Sequence, residues 1–255
     1  MKKIAVITGA SAGMGRCFVE TIETWGGIDE VWAIARRKER LEALQCSVPV
    51  RPLAMDLTDR NNYAVYADLL ATEQAEVVLL VNAAGFGKFC GTLEVPTEEN
   101  LNMVDLNCQA LMAMCQMTIP YMPQGSRIIN FSSVASEQPI PYINVYAATK
   151  AFVSSYGRAL NRELKSRGIG VTTVYPFWTN TEFFDRAIDP NTEPVVKSYI
   201  AMYQPEQIVA RAWRDAKRGK DVCRYGFIAR SQSLLAKLLP HRIIMNIWMN
   251  MQKLN

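Results

Sequence analysis

The stretch KIAVITGASAGMG, Lys3–Gly15, joins an apolar run to a glycine-rich turn and the start of a helical pattern. Lys3–Thr8 reads as a strand buried on both faces, because its apolar residues run on without polar alternation. Gly9, Gly13 and Gly15 then permit a tight turn and let backbone N–H groups approach an anion at a helix N-terminus. A flexible strand-to-helix turn would use the same residues. Their spacing also departs from the commonest dinucleotide fingerprint, Gly-x-Gly-x-x-Gly. The pattern of the remaining chain has to decide between the two.

Working outward, further short apolar runs occur at Glu30–Ala35, Val50–Met55, Val77–Asn82, Arg127–Phe131 and Gly170–Tyr175. Between them, Gly13–Trp25, Arg37–Leu44, Asn61–Ala71, Glu98–Pro120 and Val145–Ser166 carry apolar residues at helical spacing. Continuous apolar strands alternating with amphipathic helices imply a parallel sheet covered on both faces. The expected fold is a doubly wound, Rossmann-like α/β sandwich, with ligands at the carboxyl ends of the strands. No repeat or Gly/Ser linker divides the chain, so we expect one domain over 1–229, with a substrate loop at about 180–205. An apolar and basic helical extension is expected over 230–255.

The 255 residues are 49% apolar and 20% charged, which is ordinary globular balance. A net charge of +4 does not argue for nucleic acid, but the charge is unevenly placed. From Arg211 to Asn255 there are ten Lys and Arg against Asp215 and Asp221. Six cysteines form no Cys-x-x-Cys pair, and His241 is the one histidine, so a metal site is not expected. Thiols in apolar contexts and no signal-peptide pattern point to the reducing cytoplasm.

The second strand ends at Ala35, followed by Arg36 and Arg37. A carboxylate there would bind a ribose 2′-hydroxyl and repel a 2′-phosphate, whereas guanidinium suits the phosphate. The arginines could equally begin a solvated helix. Asp56, at the end of the third strand, is placed to accept from an adenine amino group or to cap a turn. Tyr146 and Lys150 stand four apart, on one face of a predicted helix.

Taken in order, TGASAGMG, NAAG (Asn82–Gly85), Asn107, Ser132–Ser133, YAATK (Tyr146–Lys150) and Pro176 resemble the compact branch of the short-chain dehydrogenase/reductase family. The resemblance runs from about Lys3 to Phe184. It implies hydride transfer between a nicotinamide and a carbonyl or alcohol carbon. On that resemblance Tyr146 is the acid/base, Lys150 eases ionisation of its phenol and binds the nicotinamide ribose, and Ser133 holds the substrate oxygen. Ser132 is the rival for that last role. Asn107 matches the residue that links a water relay to the lysine. The cofactor would be bounded by Gly9, Ser11, Gly13, Met14, Gly15, Arg36, Arg37, Asp56 and Leu57. Asn82, Ala83, Gly85, Tyr146, Lys150, Pro176 and Thr181 would complete its site. NADPH/NADP+ is expected over NADH. One departure is Phe177, where the family usually has glycine after Pro176.

Phe177, Trp178, Phe183 and Phe184, beside Ser133 and Tyr146, are the candidate substrate residues. With Ile188, Tyr199, Met202 and Tyr203 they favour an apolar, steroid-like or fatty alcohol or ketone. A 3-oxoacyl-carrier-protein reductase and a non-catalytic NADP-binding protein remain open as alternatives. The resemblance also implies a homodimer or homotetramer built through Glu98–Pro120 and Val145–Ser166, with Ala147, Ala148, Ala151 and Ser155 permitting close approach. The C-terminal run from Leu234 has three open readings: peripheral membrane contact, a cover over the substrate entrance or another subunit, and completion of the core.

Overall fold

The computed structural model of the chain describes residues 1–188 and 193–254. Residues 189–192, within the expected substrate loop, and Asn255 lie outside the described residues. Six strands fall where the apolar runs place them: β1 (Lys3–Thr8), β2 (Glu30–Ala35), β3 (Val50–Ala54), β4 (Glu76–Asn82), β5 (Arg127–Phe131) and β6 (Gly170–Val174). A seventh, β7 (Val222–Cys223), was not expected from the sequence. All pair in parallel, in the order β3-β2-β1-β4-β5-β6-β7.

Alternate residues of each strand enter opposite cores. Ala5, Ile7, Val31, Ala33, Leu79, Val81 and Ile129 face α1 (Gly13–Glu20), α2 (Lys38–Glu42) and α8 (Pro205–Lys217). Ile4, Val6, Trp32, Ile34, Val77, Leu80 and Ile128 face α3 (Asn61–Glu73), α5 (Leu111–Thr118) and α6 (Asn144–Glu163). Both faces of the sheet are thus dry, which is why the strands lack polar alternation. In the first core Phe18 meets Trp213 edge-on at 4.6 Å, and the Trp213 indole donates to Thr21 Oγ1 at 3.0 Å. Burying side chains of that size contributes roughly 2–3 kcal/mol each.

The expected helix Glu98–Pro120 is not uniform. It comprises α4 (Thr97–Val104), a π-helical turn at Asp105–Ala110, then α5, closed by a 3-10 turn at Ile119–Tyr121. A π turn adds a residue per turn and re-aims a side chain, which apolar periodicity does not reveal. Helix α6 follows Tyr142, which holds a left-handed φ of +65°. It ends in a 3-10 turn whose last residue is followed by left-handed Gly168. One expectation for α6 is corrected: Ala147 is buried inside the subunit, while Ala148, Ala151 and Ser155 are exposed. Ala147 therefore belongs to the core and not to a docking face.

After α7 (Phe183–Ala187) and α8, the chain ends in α9 (Phe227–Leu238) and α10 (His241–Gln252), separated at Leu239 and Pro240. The helical ending thus begins at Phe227. Both helices are tied to the body. The Trp248 indole donates to Pro141 O at 3.1 Å, and buried Gln252 bonds Lys197 N and Ser198 N at 2.7 and 3.0 Å.

Candidate active site

Strand order reverses between β1 and β4, so their carboxyl ends open a crevice. Gly9 turns the chain out of β1 with φ of +68°, and a Cβ there would lie 2.7 Å from Ala84 N. Only glycine fits both the angle and the approach. The crevice is a cavity of about 290 Å³. Gly9, Ser11, Gly13, Met14, Gly15, Arg36, Arg37, Asp56, Leu57, Ala83, Gly85 and Thr181 all line it. A glycine-lined helix N-terminus at one wall and arginines at another suit a phosphorylated nucleotide.

The two arginines differ in setting. Arg37 donates to Ser11 Oγ at 3.2 and 3.0 Å and pairs with Glu182 at 2.8 Å. Glu182 also holds Arg40 at 2.6 Å, and the two guanidinium groups keep its carboxyl below the usual range. Arg36 lies 3.9 Å from Asp56 on the surface. Asp56 spends one oxygen on a turn, accepting from Thr58 N at 2.9 Å and Thr58 Oγ1 at 2.8 Å. Glu182, Arg40 and Arg186 were not picked out from the sequence. Arg186 lines the same cavity, stacked over Phe86 at 3.2 Å from the ring centre. Arg40 lies in the same basic stretch as Arg36 and Arg37, a signal that could have found it, but nothing local signals the distant Glu182.

Asn82 was expected beside the cofactor at the end of β4. Its side chain turns into the interior, donating to Asn130 Oδ1 at 2.9 Å and Cys115 Sγ at 3.3 Å, and it lines neither of the two cavities. It holds the ends of β4 and β5 together beside the crevice.

A second cavity, about 410 Å³, adjoins the first, and Met14, Ala83, Gly85, Thr181 and Phe183 line both. Ser133, Tyr146 and Lys150 stand on its wall together with Pro176, Phe177, Trp178 and Phe184. The Ser133 hydroxyl stands close enough to the Tyr146 phenol to favour its ionised form. Ser133 also caps the short turn Val134–Glu137 by accepting from Ala135 N at 3.1 Å. Ser132 is used otherwise: its hydroxyl donates to Lys150 O at 2.7 Å, tying β5 to α6. The Lys150 ammonium donates to Phe131 O at 2.9 Å and stands 5.7 Å from the Tyr146 ring centre.

Asn107, brought inward by the π turn, accepts from Phe86 N at 3.0 Å. It donates to Phe86 O at 2.8 Å and Thr149 Oγ1 at 3.0 Å. A Cβ on Gly85 would lie 2.8 Å from Asn107 Oδ1 and 3.3 Å from Lys150 Nζ, so glycine lets these two groups converge. Asn107 itself lines neither of these two cavities.

The family resemblance implies that Lys150, with an oxidised nicotinamide, eases ionisation of the phenol. In the protein alone, burial pushes Tyr146 up to about 12, and the Ser133 hydroxyl offsets only part of that. Burial also pulls Lys150 down to about 8, opposed by its proximity to Cys108. Desolvation disfavours both charged forms. Neutral phenol is therefore the resting state at neutral pH.

Phe177 takes no positive φ, so the loop follows a path open to L-residues. Its ring packs against Trp178 and Tyr203 at 6.2 and 6.3 Å. Phe89, which the sequence did not single out, touches Tyr146, Trp178, Phe183 and Phe184 through ring contacts of 5.7–6.4 Å. The C-terminal helices supply Phe227, Ile228, Leu235, Ile247, Trp248 and Met251 to the same wall. Of the three readings open for the run from Leu234, a cover over the substrate entrance agrees with this lining.

Comparison with known proteins agrees with this geometry. A family model described as short chain dehydrogenase matches residues 3–191. A 3-ketodihydrosphingosine reductase of Bacteroides thetaiotaomicron is 33% identical over 186 residues, which cover 72% of this chain and 66% of that protein. The human very-long-chain 3-oxoacyl-CoA reductase is 28% identical over an alignment covering 98% of this chain and 79% of that protein. A short-chain dehydrogenase from Sphingobium yanoikuyae, solved in complex with NADPH, superposes with a TM-score of 0.77 at 29% identity. That match covers 96% of this chain and 95% of the other.

Proposed function

This chain is a member of the short chain dehydrogenase family and an oxidoreductase, and from that premise we propose that it reduces an apolar ketone to a secondary alcohol with NADPH. The observation that carries the reading is the convergence of Ser133, Tyr146 and Lys150 on an apolar cavity that opens into the glycine-lined one. NADPH, when bound, supplies the hydride, and its oxidised form adds positive charge. Gly9, Gly13, Ser11 and the N-terminus of α1 would hold its pyrophosphate, with Arg36 and Arg37 at the 2′-phosphate. The NADPH complex of the Sphingobium neighbour supports this choice over NADH.

The remaining work falls to this chain's residues. Ser133 donates to the substrate oxygen and orients it toward Tyr146. The phenol, protonated at neutral pH because burial holds it near 12, gives its proton to that oxygen during reduction. Lys150 then faces the phenolate so formed, and Asn107 fixes the backbone at Phe86 beside it. Reverse reaction demands phenolate at the start, which the protein groups alone disfavour.

A long-chain or ring-system substrate fits the lining, where Phe89, Trp178, Phe183 and Phe184 form one aromatic cluster. The names of the two relatives, a ketodihydrosphingosine reductase and a very-long-chain oxoacyl-CoA reductase, point the same way. We also assign a homodimer or homotetramer, supported by the exposed α6 face with Ala148, Ala151 and Phe152. The buried thiols of Cys17, Cys108, Cys115 and Cys223 suit a cytoplasmic setting. Among the described residues no helix is long and apolar enough to cross a membrane.

The test is oxidation of NADPH by purified protein across a panel of long-chain 3-oxo thioesters, steroid ketones and short polar ketones. Bulky apolar ketones should be consumed and short polar ketones ignored. NADPH binding without turnover of any ketone would leave a binding protein and refute the enzyme reading. Turnover confined to carrier-protein thioesters would refute the assignment to free lipid-like ketones.

A further inference from the structure

Helix α9 is amphipathic in the wrong sense for a helix that serves only the core. Its buried residues are small: Ala229, Ser233 and Ala236. Its large apolar residues point outward, with Phe227, Leu234 and Leu238 exposed by 83%, 58% and 70%. Spacings of seven and four place these three on one stripe. On α10, Ile243 and Ile247 are likewise exposed while Ile244 and Trp248 are buried. Exposed Ile200 and Met202 add to the same part of the chain. Scattered apolar residues on a surface are ordinary, but a stripe of this kind marks an interaction face.

Two further observations say what the face meets. The first is charge. Arg230, Lys237, Arg242 and Lys253 occur between Phe227 and Asn255, and that span contains no Asp or Glu. All four cations are exposed, and Arg230 and Lys237 flank the apolar stripe of α9. The second is continuity with the larger cavity. Phe227, Leu235, Ile247 and Ile200 line that cavity and are themselves exposed, so its mouth opens between apolar side chains. A polar ligand arriving from water would have to cross that rim. A ligand dissolved in hydrocarbon would not.

We infer that α9 and α10 dock on the surface of an anionic lipid bilayer, with the mouth of the larger cavity against the acyl region. Apolar anchors flanked by cations and free of carboxylates are the requirements for an interfacial helix. The docking is peripheral, since neither helix is long enough to span. This inference concerns binding only and stands whether or not the proposed substrate class is right.

The experiment is co-sedimentation of the purified full chain with phosphatidylcholine vesicles, with and without phosphatidylserine. The parent should pellet with the serine-containing vesicles and bind more weakly as salt rises. Leu234→Gln with Leu238→Gln, and separately Arg230→Ser with Lys237→Ser, should each weaken binding by about tenfold or more. These four residues line neither cavity, and circular dichroism checks that the variants remain folded. Parent protein left in the supernatant at low salt overturns the inference. So does unchanged binding by the leucine variant, or equal binding to both kinds of vesicle. A dimer in sedimentation velocity that the leucine variant dissociates also overturns it, because a second copy would then cover the face.

Discussion

Replacing Lys150 by methionine separates the cost of burying a charge from the use made of it. Lys150 is 6% exposed, and burial lowers its ammonium from 10.5 to about 8. That gap corresponds to roughly 3 kcal/mol. Below the folded value the amine is charged in both states, and the folded protein bears the full cost. As pH rises from about 8 to 10.5, the folded state has released the proton while the unfolded chain still binds it, so stability rises with pH. Above the unfolded value both states are neutral and the cost is gone. Methionine removes this dependence. It also removes the hydrogen bond to Phe131 O, a loss of about 1–3 kcal/mol that does not vary with pH. Urea unfolding of parent and variant, at about pH 7 and about pH 10, should show the parent gaining about 2 kcal/mol on the variant. Taking the difference cancels the tyrosines and thiols common to both proteins. Cys108, the thiol coupled to Lys150, is held up at about 11 by burial and stays neutral across the range. Parallel pH profiles for the two proteins would refute the buried-ammonium account, whatever happens to activity.

Tyr146→Phe should lower kcat by about 10²- to 10⁴-fold while NADPH affinity stays within a few-fold, because only the phenolic oxygen is removed from a packed ring. Stopped-flow turnover and fluorescence titration of NADPH check the two halves, and near-parental turnover would sink the proton-transfer role. Arg36→Ala with Arg37→Ala should raise KM for NADPH more than KM for NADH; equal effects on both would remove these residues from the 2′-phosphate site. Ala148→Glu with Ala151→Glu should shift sedimentation toward monomer. A parent protein that is monomeric at micromolar concentration would contradict the assembly itself.

What could be read from the sequence was whatever rests on local repetition. The six longer strands were visible because each is buried on both faces, which leaves a continuous apolar run. Val222–Cys223 is too short to show any period, so β7 was silent. The π turn at Asp105–Ala110 was equally silent, since its apolar positions still suit an ordinary helix. Tyr146 and Lys150 could be paired by their spacing, and both reach the larger cavity. Asn82 could be placed at the end of β4 beside the crevice, but its partners Asn130 and Cys115 lie 48 and 33 residues away and no spacing announces them. The resting protonation of the phenol was hidden for a related reason. Burial of Tyr146 and Lys150 is a property of the folded surroundings, and spacing along the chain does not state it. Glu182 comes from a chain segment brought back over a long separation with no local pattern to announce it, whereas the apolar periodicity of the C-terminal run had already offered Trp248's segment as a cover over the substrate entrance.

The strand order also sets a timetable for synthesis. β1, β2, β3 and β4 are neighbours in the sheet and are complete once residue 82 has left the ribosome. Each later strand adds only to the open side of the one before it, ending with β7 at residue 223. At typical translation speeds that interval is on the order of 10 s. Throughout it, first β4, then β5, then β6 is an unpaired apolar border on a growing nascent chain. Such a border recruits foreign strands as readily as native ones. Demand for holding chaperones should therefore peak while residues between β4 and β6 are being made, and fall once α8 has closed over the first core.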